Sequence, residues 1–179
     1  MNCRLGLLSI VLGFLLMSCS TPTPAEPSQT QTSVNMDQML TATNAGQQLP
    51  ISAQAIVPNG TKIQLEVART SQQQALGLMY RPALPDDRGM LFPFSPPETV
   101  GFWMKNVPVA LDMVFLRNGV VEYVAASVPG CKNDPCPSYG PKKPFDMVIE
   151  LRSGRAAELG LKVSTPVKIE YLNSNPSRS

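Results

Sequence analysis

The chain has 179 residues, with 15 Lys and Arg against 13 Asp and Glu and no histidine. This near balance, with no basic run anywhere, leaves no electrostatic footprint for nucleic acid. The lack of histidine excludes Ser–His and Cys–His nucleophile pairs and histidine metal sites.

The first element in the chain is a leader. Arg4 gives the start one positive charge, and residues 5–17 are almost wholly apolar. That stretch has the length of a signal h-region and is too short to span a bilayer comfortably. It ends Leu16-Met17-Ser18-Cys19, with a small residue directly before a cysteine. Residues 1–18 therefore read as a bacterial lipoprotein signal peptide, cut so that Cys19 carries lipid. An uncleaved anchor or an ordinary secretory signal is the alternative. The lipoprotein reading implies a lipid-anchored protein of the bacterial cell envelope, its domain in the periplasm or outside the cell. The membrane is then a partner through the N-terminal lipid.

Residues 19–47 read as a flexible tether. They are rich in Thr, Pro, Gln and Ser, and Glu26 and Asp37 are their only charges. Such a segment buries too little apolar surface to offset its chain entropy. Its typical reach is roughly 30 Å. If Cys3 leaves with the leader and Cys19 is lipidated, Cys131 and Cys136 remain, with four residues between them. In an oxidising compartment an isolated even pair is expected to be a disulfide. Redox activity and free thiols are the alternatives, although the spacing is not C-x-x-C. A metal would need two further ligands.

Residues 48–173 read as one domain, followed by a short disordered tail at 174–179. Ile51, Ala53, Ala55 and Val57 alternate with polar or small residues, which predicts a first strand. Asn59-Gly60 predicts a hairpin into Ile63, Leu65 and Val67, with both turn residues at positive φ. Residues 70–79 predict a helix, capped by Thr70 with Gln73 three positions on. Strands are expected at 89–94 and 98–104, split by Pro96-Pro97. Residues 111–116 are apolar apart from Asp112 and predict a central strand. Asn118-Gly119 predicts a second hairpin into 120–128. The loop 129–145, which holds the cysteine pair, is long enough to suggest function. Residues 146–151 predict a strand with Met147, Ile149 and Leu151 inward. Ser153 is expected to cap a short helix that Gly160 ends. Val167, Ile169 and Tyr171 alternate in a last strand. Without long helical crossovers an all-parallel sheet is excluded. The expected fold is α+β and β-rich, a mostly antiparallel, curved or barrel-like sheet with two short helices.

Five segments in order carry a resemblance. They are Gly77-Leu-Met-Tyr-Arg81, Asp87-Arg-Gly-Met-Leu-Phe92, Phe102-Trp-Met-Lys-Asn106 with Leu111-Asp112, Pro135-Cys-Pro-Ser-Tyr-Gly-Pro141, and Ala157-Glu-Leu-Gly-Leu-Lys162. Together they resemble the family known as domain of unknown function 192, over residues 62–172 and closest to its lipoprotein members with a cysteine-containing loop. Ala110 stands where that family often has Pro, and Ser164-Thr165 where it often has Gly-Asp. The resemblance implies a small β-rich fold and no established activity.

Trp103 and Lys105 fall on one face of their strand, with Val100, Phe102 and Met104 on the other. With Asn106, Asp112 and Arg81 they offer a ring, a cation, an amide and a carboxylate, and Tyr139 is placed to close over them from the long loop. These six are the candidate ligand-binding residues. In the structural alternative, Asp112 pairs with Lys105 or Arg81 and only ties strands together. Met79, Met90, Met104 and Met113 read as core rather than a copper site. No catalytic residue, metal site or cofactor is assigned. Asp112 with Glu98 would serve a carboxylate-based hydrolase, but their spacing does not show them paired. The favoured function is a tethered binding module for a small or saccharide-like ligand. The alternative is a structural or protein-partner-binding lipoprotein.

Overall fold

The computed structural model describes residues 46–172. The expected signal peptide, Cys19, nearly all of the tether and the tail lie outside the described residues. β1 (Ile51–Ile56) and β2 (Lys62–Val67) form the first hairpin. Its turn differs from the expected one. Gly60 has φ +84° but Asn59 is not at positive φ. The Gly60 N–H donates to Val57 O at 2.8 Å. Pro58 therefore occupies the second turn position, which its fixed φ suits. The Asn59 side chain accepts from Thr61 N at 2.9 Å instead.

α1 (Ser71–Leu76) has the expected reciprocal capping box between Thr70 and Gln73. It is shorter than expected, because Gly77 leaves the helix at φ +47°. β3 (Arg88–Glu98) runs through Pro96 and Pro97 as one strand, whereas the sequence suggested a break there. β3 leans on β8 (Phe145–Arg152) and loses ladder register between Pro93 and Glu98, where prolines cannot donate. β4 shrinks to Phe102–Trp103. β5 (Leu111–Arg117) and β6 (Val120–Val128) form the second hairpin. Here Asn118 and Gly119 do take positive φ, +50° and +76°. Within the long loop, β7 (Ser138–Tyr139) pairs with β4. α2 (Arg155–Glu158) and β9 (Lys168–Tyr171) complete the chain. Gly160, at φ +68°, follows the helix as expected.

Seven strands make one sheet in the order β6-β5-β8-β3-β2-β1-β9. Every neighbouring pair is antiparallel except β2–β3, which α1 connects. The sheet is not a barrel. Its two ends meet at one corner only, where Val121 N donates to Thr165 O and Val167 N to Gly119 O, at 2.9 and 2.8 Å.

Both faces are covered, so β3, β5 and β8 are buried on both sides. One face packs Leu65, Leu91, Val114, Ile149 and Leu151 beneath Ala156 and Leu159 of the α2 region. The other packs Met90, Phe92, Met113, Phe115 and Val148 beneath Leu78, Met104 and Val107. The methionines Met90, Met104 and Met113 are all in this second core.

Candidate functional site

A cavity of about 210 Å³ opens on the second face, between the α1 turn, β3 and β4. Its walls include Gln74, Leu78, Phe92, Phe94, Phe102, Trp103 and Glu150. Local sequence shapes each wall. Gly77 turns the chain down after α1, and a Cβ there would stand 3.5 Å from the Phe92 ring. Gly101 lets β4 approach β7, since a Cβ would lie 1.7 Å from Ser138 Oγ. Phe102 stands edge-on to Phe92 and Phe94, with centroids 5.2 and 6.1 Å away. Such edge-to-face pairs are each worth about 1 kcal/mol beyond their area.

Two turns at the cavity edge hold each other. Tyr80 and Asn106 both have positive φ, +64° and +56°. Tyr80 N donates to Asn106 O, and Asn106 Nδ2 donates to the Tyr80 hydroxyl, each at 2.8 Å.

Glu150 is the residue that sequence reasoning missed. It is 5% exposed and lines the cavity. Across the sheet, Glu66, Met90, Glu150 and Met113 stand in one row of paired residues on β2, β3, β8 and β5. Glu66 is matched: Arg81 donates to its two oxygens at 2.7 and 2.8 Å, and Leu49 N donates at 2.8 Å. Glu150 has a methionine on either side. Among the described residues no hydrogen bond or ion pair reaches its carboxyl. Burial alone pushes its pKa up to about 8, because desolvation disfavours the charged form. It is the one ionisable side chain among the described residues lining the cavity. The polar side chain nearest in kind, Gln74, is committed to Pro93 O at 2.9 Å.

The six candidate residues do not converge. Trp103 is in the cavity wall and 50% exposed. Asn106 is in the edge clasp. Lys105 pairs with Asp134 of the long loop. Tyr139 sits in β7 opposite Phe102 and is not part of the cavity lining. Arg81 is the counter-ion of Glu66. Asp112 pairs with neither Lys105 nor Arg81. It is fully buried on the other face of the sheet. There it accepts from Ser127 N, Gly154 N and Ala156 N at 2.8, 3.1 and 2.8 Å. Asp112 thus does for α2 what Ser153 was expected to do. The Ser153 hydroxyl bonds Ser127 Oγ instead, and Gly154 is the cap residue, without a side chain to offer.

Cys131 and Cys136 form a disulfide, with Cα atoms 5.8 Å apart. The loop it closes is laid along β4 and beyond. Cys131 N donates to Met104 O, and Asn106 N to Cys131 O, both at 2.9 Å. Glu98 pairs with Phe145 at one end of β8 while Asp112 pairs with Leu151 near the other. Six residues of strand put them roughly 20 Å apart, too far for a glycosidase pair.

Because the Glu66–Arg81 pair is largely buried, Arg81→Met should leave a carboxylate uncompensated. The expected loss is about 3 kcal/mol, read from the urea midpoint. A Glu66→Gln/Arg81→Met double variant should recover part of it. A single variant as stable as wild type would show the pair to be idle.

No curated protein shows significant similarity to the chain. Two solved structures are similar. One is a protein of unknown function from Novosphingobium aromaticivorans DSM 12444, 33% identical, covering 65% of this chain and 83% of its own, with a TM-score of 0.59. The other, from Sinorhizobium meliloti 1021, is provisionally named a transcription regulator; it is 26% identical, covers 68% of this chain and 97% of its own, and has a TM-score of 0.59. Residues 54–169 match the family DUF192, described as an uncharacterised ACR. The chain therefore belongs to the DUF192 family.

Proposed function

We propose that this domain is a small-molecule binding module, held at the bacterial envelope by lipid on Cys19, and that the cavity beneath α1 is its site. The observation that carries the reading is the Glu150 carboxyl, which lines an aromatic cavity and meets no partner among the described residues. A carboxyl whose pKa burial raises, facing a cleft, is the kind of group that functional sites use. The cavity walls support a compact ligand with an apolar body better than a saccharide. A sugar would bring many hydroxyls to a wall whose uncommitted polar side chains are Glu150 and Trp103. The long loop supports β4 from behind and does not form the rim.

Trp103 is the only tryptophan in the chain and lines this cavity, so its fluorescence is a reporter placed at the site. Small envelope metabolites, including amines, acids, alcohols and saccharides, should be screened by Trp103 emission and by thermal unfolding. A ligand at a hundred times its dissociation constant should stabilise the fold by about 2.7 kcal/mol. Trp103→Ala should weaken that ligand about tenfold, the worth of one aromatic contact. A panel that moves neither signal would overturn the reading and leave a structural or protein-partner role.

A further inference from the structure

Resting on the cavity being a ligand site, we propose that its ligand is a small organic cation, a primary ammonium group carried on an apolar body. The charge comes from the wall itself. Glu150 is the one ionisable group in the lining, and no lysine or arginine among the described residues lines the cavity. An anion would find no positive side chain among the described lining residues to offset the loss of its hydration. A cation would find a carboxylate together with the faces of Phe92, Phe94, Phe102 or Trp103, whose quadrupoles attract positive charge.

Hydrogen bonding points the same way. The Glu150 carboxyl receives no donor among the described residues, while its neighbours across the sheet are Met90 and Met113. An ammonium supplies three donors and accepts none. Two of its N–H groups meet the carboxylate, and the third faces the aromatic wall or the cavity mouth. Burial keeps the carboxyl protonated near neutral pH, so the cavity itself holds no naked charge. A hard metal ion fits less well. Among the described residues there is no group of three His, Cys, Asp or Glu side chains to hold one, and a single carboxylate is a poor cage.

Size fixes the scale of the apolar body. A cavity of about 150 Å³ takes benzene, and this one is about 210 Å³. Phenylethylamine is a probe of the right dimensions. Its near-isosteres 2-phenylethanol and phenylacetate carry no charge and the opposite charge.

The test uses the full chain at pH 7 with these three probes, read by Trp103 emission and thermal unfolding. Phenylethylamine should bind at least about tenfold more tightly than the alcohol, since a desolvated charge pair exceeds a neutral contact. Phenylacetate should bind least. In Glu150→Gln, which keeps the shape and removes the charge, the amine should fall to the level of the alcohol. Equal binding of amine and alcohol to wild type would overturn the cation assignment and leave the cavity reading standing. So would amine binding that survives Glu150→Gln. If none of the three binds but another compound of the wider screen shifts Trp103, the cation assignment alone falls. If no compound does, both fall together.

Discussion

Glu150→Gln is expected to stabilise the fold by about 5 kcal/mol above pH 8 and to change it little below pH 4.5. In the folded protein burial raises the Glu150 pKa to about 8, and in the unfolded chain it returns to the ordinary value near 4.5. Each pH unit between the two values is worth about 1.4 kcal/mol. Below the lower value the carboxyl is neutral in both states and contributes no pH dependence. Between the two, the folded state holds a proton that the unfolded state has lost, so stability falls as pH rises. Above the upper value the full penalty of a buried charge is present. Glutamine has the shape of the protonated acid and does not titrate, so its profile should be flat across that window.

Other carboxylates act elsewhere on the scale. Asp86 and Glu158 are lowered by hydrogen bonds to Arg152, and Glu170 by Lys168. Their contributions are lost only on acidification. Arg152, two residues along β8 from Glu150, is already held by Asp86 and Glu158. Arg88, two residues before Met90 on β3, is paired with Asp87. Urea unfolding of wild type and variant at pH 5, 7 and 9 is the measurement. A wild-type profile as flat as that of the variant would mean that the carboxyl is solvated in the cavity and carries no such penalty.

Asp112→Ala should cost about 4 kcal/mol, because one carboxylate satisfies three backbone donors. Hydrogen bonds to a charged group are worth about 1.5–3 kcal/mol each, and deletion leaves the buried amides unpaired. Two of the three, Gly154 N and Ala156 N, belong to the start of α2. The third, Ser127 N, belongs to a residue of β6 at φ +50°, a conformation that side chains enter only when held. Loss of Asp112 should therefore loosen α2 and the end of β6 together, seen as faster amide exchange at both places. Asp112→Asn should lose less, since its carbonyl still accepts. The same variants should bind any cavity ligand as wild type does, because Asp112 faces the opposite side of the sheet. An Asp112→Ala protein within about 1 kcal/mol of wild type would show that α2 does not depend on it.

What the sequence disclosed about the fold follows from how local each signal was. The Thr70–Gln73 capping box and the Asn118-Gly119 hairpin need only a few neighbouring residues to be decided, and both are present. The alternation of Ala53, Ala55 and Val57 fixed which face of β1 is buried. The Pro58 turn was missed because Asn59-Gly60 is the louder signal for a two-residue turn, although Pro58 already suited the second position. The site was less legible, for a reason of layers. Residues 146–151 were read with one buried face, which sent Glu150 to solvent. The sheet is covered on both faces, so the opposite parity is buried too. A usable signal existed: Glu150 is a lone carboxylate in an otherwise apolar run, as Asp112 is in 111–116. The two are nevertheless opposite in kind. Among the described residues Asp112 meets three amides and Glu150 meets none, and only the tertiary arrangement of α2 and α1 over the two faces separates them.

The pairing of β1 with β9 governs when this chain can finish folding. Gln54 and Glu170 bond side chain to side chain across 116 positions of sequence, and Leu172 N reaches Ser52 O at 2.9 Å. The first strand of the sheet therefore waits for the last. Contacts of such long range form slowly, since the intervening chain must be ordered before they return anything. A nascent chain that has not yet made β9 leaves β1 as an open edge, so the sheet gains its last neighbour only once that strand has emerged. Until β9 is in place the domain has no completed sheet to undo.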